Sequence, residues 1–544
     1  MGKDKNLGRS AGIISFASAI SRFTGLISIL VVAYAFGALD YLQDSYNLAK
    51  VMPNMLFELI AGGVLTSIFI PVLIERILDN RKDSWRLISN VVNITTLFLV
   101  AVAALGTIFS YYLVRAQTFL VSTEAVEVSN VDFFFKFFIW QIVFYGLTAI
   151  FNGVLQAHRR FAVPAYAPIF NNLVVIATVL FVVVPLRETN PRLAMIALAA
   201  GTTLGIVAMA FIQVPALLRI GWRHHFIIDF RDPAIKKLGF LALPVIVYVA
   251  SNQIGLTVAN ALAWRYEGGI TSFMYAWRFF QMPFGLLAVS ISTVLFPGLS
   301  EHSVASNMDG FKRTLALAVR ATAFVMVPIS VYFFVLSGPT IGLFEFSFGV
   351  DGAAQISAVF SLFIVGIVPF SLFMLLNRVF YALHDSTTPM KVNAVGVPLN
   401  IALNFTLVGS LGVPGLALAH SLTYLFTMSL MFTALRRRIG SLGGRELLRS
   451  VAKFTLISAP VGVIMFLLNG WLVRFDWPAV EVGRAVVLAL AGLVGGAAYL
   501  GLSAAADLDE VGFVRSLAGG LRGRTAGGTS GDVETETVAG AEDV

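Results

Sequence analysis

Apolar stretches long enough to cross a bilayer, about 20 residues each, recur along almost the whole of this 544-residue chain. Within hydrocarbon only helices and closed barrels satisfy every backbone group. The runs are too long and too continuous for barrel strands of about 10 alternating residues. The sequence therefore predicts an all-α polytopic membrane protein with no large soluble domain between its spans. Composition agrees, with 58% hydrophobic and 12% charged residues, where soluble domains carry roughly 25% charged.

The expected spans are 10–36, 45–74, 87–113, 133–157, 164–186, 193–218, 238–263, 270–298, 312–336, 353–382, 390–409, 412–435, 451–473 and 484–506, about fourteen helices by bilayer length. The first run, Ala11 to Phe36, is too long for a signal-peptide core and reads as a retained helix. Alternate loops divide the basic residues unequally, 26 Lys and Arg on one side against 6 on the other. The positive-inside rule makes the rich side cytoplasmic, so both termini are expected inside, in a bacterial inner membrane. Topology and anionic headgroups explain the net charge of +8 without nucleic acid. Residues 508–544, rich in Gly, Ala, Thr and acids, are expected to form a disordered cytoplasmic tail.

The chain contains no cysteine, which excludes disulfides, thiolate metal sites and cysteine nucleophiles. Its six histidines show no metal-binding spacing, and there is no phosphate-binding Gly-Lys-Ser/Thr loop or Gly-x-Ser-x-Gly elbow. The expectation is a protein that is not an enzyme, with no cofactor and no bound metal.

An internal repeat organises the chain. Ser21, Gly25 and Leu26 match Ser251, Gly255 and Leu256; Pro71, Leu73 and Glu75 match Pro297, Leu299 and Glu301; Asn152, Val154, Ala157 and Pro164 match Asn377, Val379, Ala382 and Pro389. The offsets are 230, 226 and 225 residues. Six helices per copy is an even number, so the copies run in the same direction, related by an axis along the membrane normal. This predicts two parallel six-helix lobes, residues 1–220 and 221–440, followed by two helices in 441–507. Two lobes facing each other across a cavity is a transporter plan.

Charges retained at mid-bilayer usually face a wet cavity, because each costs roughly 2.5–3.5 kcal/mol on insertion scales. Arg22 lies deep in the first span and Arg278 deep in the eighth, where Pro283 and Gly285 follow. Both are expected to line the cavity rather than to serve as structural ion pairs. Lys50 lies shallower, with Asp44 and Glu58 on its helix or at its mouth, and reads either as a cavity cation or as a partner of Asp44. Lys136, Arg320 and Arg378 lie near helix ends, where snorkelling is expected. Basic groups from both lobes suggest an anion between them, and guanidinium suits phosphate bidentately. The last helix carries Gly492, Gly495, Gly496 and Gly501, a pattern of close helix packing or of a groove for a lipid tail.

The more specific segments are Ser21-Arg22-x-x-Gly25, Phe36-Gly37-Ala38 ahead of Asp44, Pro53-Asn54, Phe69-Ile70-Pro71-Val72-Leu73, Arg160-Phe161-x-x-Pro164-Ala165-x-Ala167-Pro168, Tyr275-Ala276-Trp277-Arg278, Phe296-Pro297 and Arg378-Val379-Phe380-Tyr381-Ala382-x-x-Asp385-x-Thr387-Thr388-Pro389. From about residue 10 to 507 the chain resembles the MurJ (MviN) family of lipid II flippases, within the superfamily of multidrug, oligosaccharidyl-lipid and polysaccharide exporters. The resemblance implies a flippase that moves undecaprenyl-diphosphate-linked peptidoglycan precursor from the inner to the outer leaflet by alternating access. It also implies substrate contacts from Arg22, Arg278 and Asp44, beside which Lys50 is a further candidate from its depth, and a tail groove at the last two helices. Some relatives couple to sodium through helices 7 and 11, where Asn260, Asn400 and Asn404 are the nearest candidates; protons or the membrane potential are the other drives. The family's further charges are absent here, their places being taken by Ser28, Phe57, Gly62 and Trp277. Alternatives are export of another polyprenyl-linked saccharide and a non-transporting scaffold for wall-synthesis or division proteins.

Overall fold

In the computed structural model, residues 2–37, 40–57, 81–118, 125–233, 235 and 253–512 are described, apart from the single positions 159, 306, 384, 386, 442, 473, 476 and 509. The expected tail beyond 512, and Glu58, Gly62, Pro71, Leu73 and Glu75, lie outside the described residues. Among the described residues the ordered elements are helices. In chain order they are α1 (Gly2–Phe36), α2 (Tyr41–Phe57), α3 (Arg81–Ile108), α4 (Ala125–Phe138), α5 (Gln141–Ala157), α6 (Ala162–Thr178), α7 (Pro191–Phe211), α8 (Gln253–Ala263), α9 (Gly269–Pro283), α10 (Val289–Val304), α11 (Met308–Val335), α12 (Val350–Val365), α13 (Ile367–Ala382), α14 (Thr387–Leu411), α15 (Val413–Ile439), α16 (Gly444–Leu472) and α17 (Val480–Ala505).

Nine helices among the described residues are long and apolar enough to cross a membrane, and ten if the bent pair α12–α13 is one span. The expected total of about fourteen is not reached on that criterion, because spans two and seven run into undescribed residues and the first and eighth carry polar or interrupted segments. The span expected at 353–382 is instead two helices, bent by 51° at Gly366. A Cβ at Gly366 would come within 2.4 Å of the Ser421 hydroxyl, and that hydroxyl donates to the Leu362 carbonyl freed near the break. Helix starts follow ordinary capping chemistry. Asn190 accepts from the Leu193 amide at 3.1 Å just ahead of Pro191, and Asn307 accepts from the Gly310 amide at 2.9 Å.

Helices α1 to α7 pack chiefly on one another, as do α9 to α15, and the two groups meet where α2 and α1 touch α9 and where α1 packs on the short helix Glu345–Phe348. The sequence repeat has a physical counterpart. Gly25 of α1 places its would-be Cβ 3.5 Å from Asn172 of α6, and Gly255 of α8 places its own 3.5 Å from Val397 of α14. Positions 172 and 397 stand 225 apart, the offset that joins Asn152 to Asn377.

The last two helices fasten to α11 of the second group. The Tyr499 hydroxyl donates to the Phe324 carbonyl at 2.9 Å and the Tyr332 hydroxyl to Leu488 at 3.0 Å. Gly495 admits Met465, whose Cε would lie 1.9 Å from a Cβ there, whereas Gly496 and Gly501 face open space. The glycine pattern thus serves close packing at Gly495. Arg320 and Lys136, expected to snorkel, are paired instead, with Glu510 at 3.5 Å and with Asp132 at 2.6 Å.

A cationic layer beneath a polar seam

Helix α2 begins with polar residues at positions 43, 44 and 47, which fall on one face because i and i+4 are neighbours on a helix. That face abuts the start of α9. The Asp44 carboxylate, fully buried, accepts from the Thr271 amide at 2.8 Å and from its hydroxyl at 2.5 Å. It therefore caps the α9 N-terminus from across the interface, where the helix dipole favours negative charge. Asn47 donates to the Thr271 hydroxyl at 2.9 Å, and Gln43 donates to the Tyr275 hydroxyl at 2.7 Å. All five side chains are buried. Three hydrogen-bonded side chains from one helix group thus close one end of the interface with the other.

The cations lie below this seam. Counting from that same end, Lys50 and Arg278 stand about 14 Å down α2 and α9, and Arg22 about 21 Å down α1, at 1.5 Å per residue. Arg22 is exposed to the space between the groups and reaches across it, its Nη1 donating to the Gln281 carbonyl at 3.3 Å. The guanidinium lies flat against Gly285, where a Cβ would come within 2.1 Å of Nη1. Pro283 ends α9 and a π-helical turn, Phe284–Ala288, follows; such turns often mark functional sites. Arg278 is also exposed, within electrostatic range of Arg22 and of Tyr145. Lys50 approaches the Tyr46 hydroxyl at 3.5 Å and sits 5.5 Å over that ring.

Among the described residues, none of Arg22, Arg278 and Lys50 belongs to a resolved ion pair; the pairs found there join Lys136, Arg187, Arg320, Arg438 and Arg484 to other carboxylates. Like charges at membrane depth without local carboxylates repel until an anion enters between them. The expected site residues thus separate. Arg22 and Arg278 lie within electrostatic range of each other, Lys50 stands at a similar depth on α2 by helix rise, and Asp44 is held at the seam. Asp44, expected to face cargo, is buried here with Oδ1 held by Thr271 and Oδ2 unpartnered.

Asn400 and Asn404 lie elsewhere, lining a cavity of about 280 Å³ inside the second group. Asn404 donates to Asn400 at 3.0 Å and Asn400 donates to Thr423 at 3.2 Å. Asn260 is buried but does not line that cavity. Among the described residues no cluster of His, Asp and Glu could hold a metal ion. Gln43, Asn47 and Thr271 escaped the sequence reading, and Tyr275 entered it only within a motif; polar residues at 43, 44 and 47 of an otherwise apolar helix were the available signal.

A model of the lipid II flippase MurJ family matches residues 32–477. The chain belongs to the MurJ family. A lipid II flippase MurJ from Burkholderia cenocepacia is 26% identical over 515 residues, covering 91% of this chain and 97% of that protein. A probable lipid II flippase MurJ from Rickettsia prowazekii is 28% identical over 436 residues, covering 78% and 83%. Among solved structures, a lipid II flippase MurJ in an inward closed conformation aligns with TM-score 0.73 at 22% identity, covering 89% of this chain and 98% of that one. An inward-facing multidrug resistance transporter of the MOP superfamily aligns with TM-score 0.62 at 16% identity, covering 78% of this chain and 95% of that one. MurJ membership makes this an integral membrane transporter, not an enzyme, and the fold of the wider exporter superfamily is shared throughout.

Proposed function

We propose that this protein is a flippase that carries the lipid-linked peptidoglycan precursor, lipid II, from the inner to the outer leaflet by alternating access. The observation that carries the reading is the pair of arginines, Arg22 and Arg278, one from each helix group, both exposed, within electrostatic range of each other and free of ion pairs among the described residues. A diphosphate supplies the missing negative charge and accepts bidentate guanidinium bonds. Lys50 adds a third cation near the seam. The MurJ family match supports the substrate class.

In this mechanism residues 1–220 and 221–440 act as two lobes that rock against each other, and the helices of 441–507 ride with the second. The seam of Gln43, Asp44 and Asn47 against Thr271 and Tyr275 closes the periplasmic end, leaving the cationic layer open to the cytoplasm. Cargo binding neutralises the arginines, allows the lobes to close around the diphosphate, and so drives release of the seam. The protein works in the bacterial inner membrane with both termini inside, without a cofactor, driven by the membrane potential or an ion gradient. Replacing Arg22 or Arg278 by Ala in a strain dependent on this protein for wall growth abolishes complementation at normal protein levels. Full growth with both variants would reject the reading.

A further inference from the structure

His420, on α15, faces the cavity inside the second helix group together with Asn400 and Asn404. Its ring stands 4.9 Å from Trp277 at 82°, 4.7 Å from Tyr424 at 69° and 5.5 Å from Phe363 at 82°. The Nε2 atom is shut from solvent and has no hydrogen-bond partner. The Asn404 Oδ1 atom is likewise buried and unpartnered, although its amide nitrogen begins a chain through Asn400 and Thr423 to the Ala419 carbonyl. A buried polar atom left open costs about 1–3 kcal/mol, and such orphans call for an explanation. Here an orphaned ring nitrogen and an orphaned acceptor oxygen face one cavity.

We propose that His420 is a proton-binding site of the second lobe, whose charge acts on the cargo-binding arginine Arg278 through Trp277. A proton taken from solvent onto the imidazole converts the ring to a double donor. The cavity answers that form with the open Asn404 oxygen and with three aromatic rings, which attract a cation within about 6 Å. Among the described residues that line the cavity, Tyr424 on the same helix is the one other titratable group. Helices α8, α9, α12, α13 and α14 contribute apolar, aromatic and amide side chains there and no charged one. Nothing charged therefore competes with His420 for the proton.

The route to the cargo is short. Trp277 touches His420, stacks on Phe280 at 4.9 Å, and is followed directly by Arg278. A positive His420 in contact with Trp277 adds positive potential beside the stretch of α9 that carries Arg278 and strengthens its attraction for an anion; loss of the proton weakens it. This coupling rests on the flippase reading, whereas the proton site itself does not.

The test uses the full chain. Imidazolium in contact with indole quenches its emission, so tryptophan emission is titrated in detergent from about pH 4 to about pH 8, a range that brackets the ordinary histidine midpoint near 6.5. Because Trp85 stacks on His158 and Trp222 contacts His224, the parent for this titration carries Trp85→Phe and Trp222→Phe; a single step is expected in it, lost on adding either His420→Gln or His420→Asn and reduced on adding Trp277→Phe, with each variant eluting as the folded parent does. A parent without a step, or a step that survives in a folded His420 variant, overturns the site. So does an emission change produced by exchanging potassium for sodium at fixed pH with no response to pH, which would make the cavity a cation site. In vesicles, flipping of a diphosphate lipid should vary with pH in the parent by several-fold and be flat in His420→Gln. A flat parent profile beside an intact emission step overturns the coupling to Arg278; no flipping at any pH, with the step intact, overturns the flippase reading instead.

Discussion

At the residue scale, the proposed site rests on two side chains, and a third position makes room for one of them. Arg22 reaches Gln281 because residue 285 has no Cβ. Alanine there would collide with the end of a flexible side chain rather than with backbone, so the guanidinium moves and the fold survives. Gly285→Ala should therefore lower flipping about tenfold, the loss of roughly 1.4 kcal/mol of contact to the anion. The thermal unfolding temperature should not fall, since alanine suits a helix better than glycine. A drop in stability with flipping preserved would show that Gly285 serves packing alone. Depth and residue type revealed Arg22 and Arg278 in the sequence, because an arginine in the middle of an apolar run has few uses. That Asp44 caps a helix was not legible, because only the packing of α2 on α9 brings its carboxylate to Thr271.

At the element scale, the connection between α13 and α14 illustrates how a strongly patterned motif can be structural. Asp385 accepts from the Thr387 and Thr388 amides at 3.0 Å each and from their hydroxyls at 2.9 and 2.7 Å, and it pairs with Arg438 at the end of α15. Burial raises its pKa, but the Thr388 bonds, the Thr387 bond and the Arg438 charge outweigh it and hold the carboxyl down at about 2. A pKa depressed on folding stabilises above the unfolded value of 3.8, and the contribution disappears as pH falls through the folded value. Asp385→Asn should cost about 1–2 kcal/mol of stability near neutral pH, in line with a lost helix cap. In thermal melts the gap between parent and variant should persist down to about pH 4 and close by about pH 2. A gap that does not narrow in that window would mean the carboxylate charge is not what stabilises the cap. Helix existence was legible throughout because hydrophobic runs of bilayer length are a strong signal, whereas the bend at Gly366 was not, since it depends on Ser421 of a helix far along the chain.

At the scale of the whole molecule, the seam sets the resting state. Thr271 holds both Asp44 and Asn47 through its hydroxyl. Thr271→Val keeps the shape and the backbone cap but removes two hydrogen bonds of about 1 kcal/mol each. The closed end should then open more often, by a factor of about 5–30. The absence of cysteine from the chain makes this directly measurable. Ser272→Cys, buried beside the seam, should be alkylated several-fold faster when Thr271 is valine; an unchanged rate would mean that the seam does not govern opening. The repeat leads to the two-lobe expectation because proline and asparagine are scarce enough in an apolar chain for their matches to stand out; of its positions, Gly25 and Gly255 make comparable contacts. The seam was not readable, since its partners are separated by about 230 residues and meet only in three dimensions.

The central claim is that Arg22 and Arg278 hold one anionic group between them. Native mass spectrometry of the lipid co-purified with the parent, Arg22→Ala, Arg278→Ala and the double variant tests it. The parent should carry a diphosphate-linked lipid, either single variant should lose it about tenfold or more, and the double variant should be scarcely worse than the singles, because residues gripping one group are not additive. A diphosphate lipid retained at parental occupancy by both single variants would contradict the account.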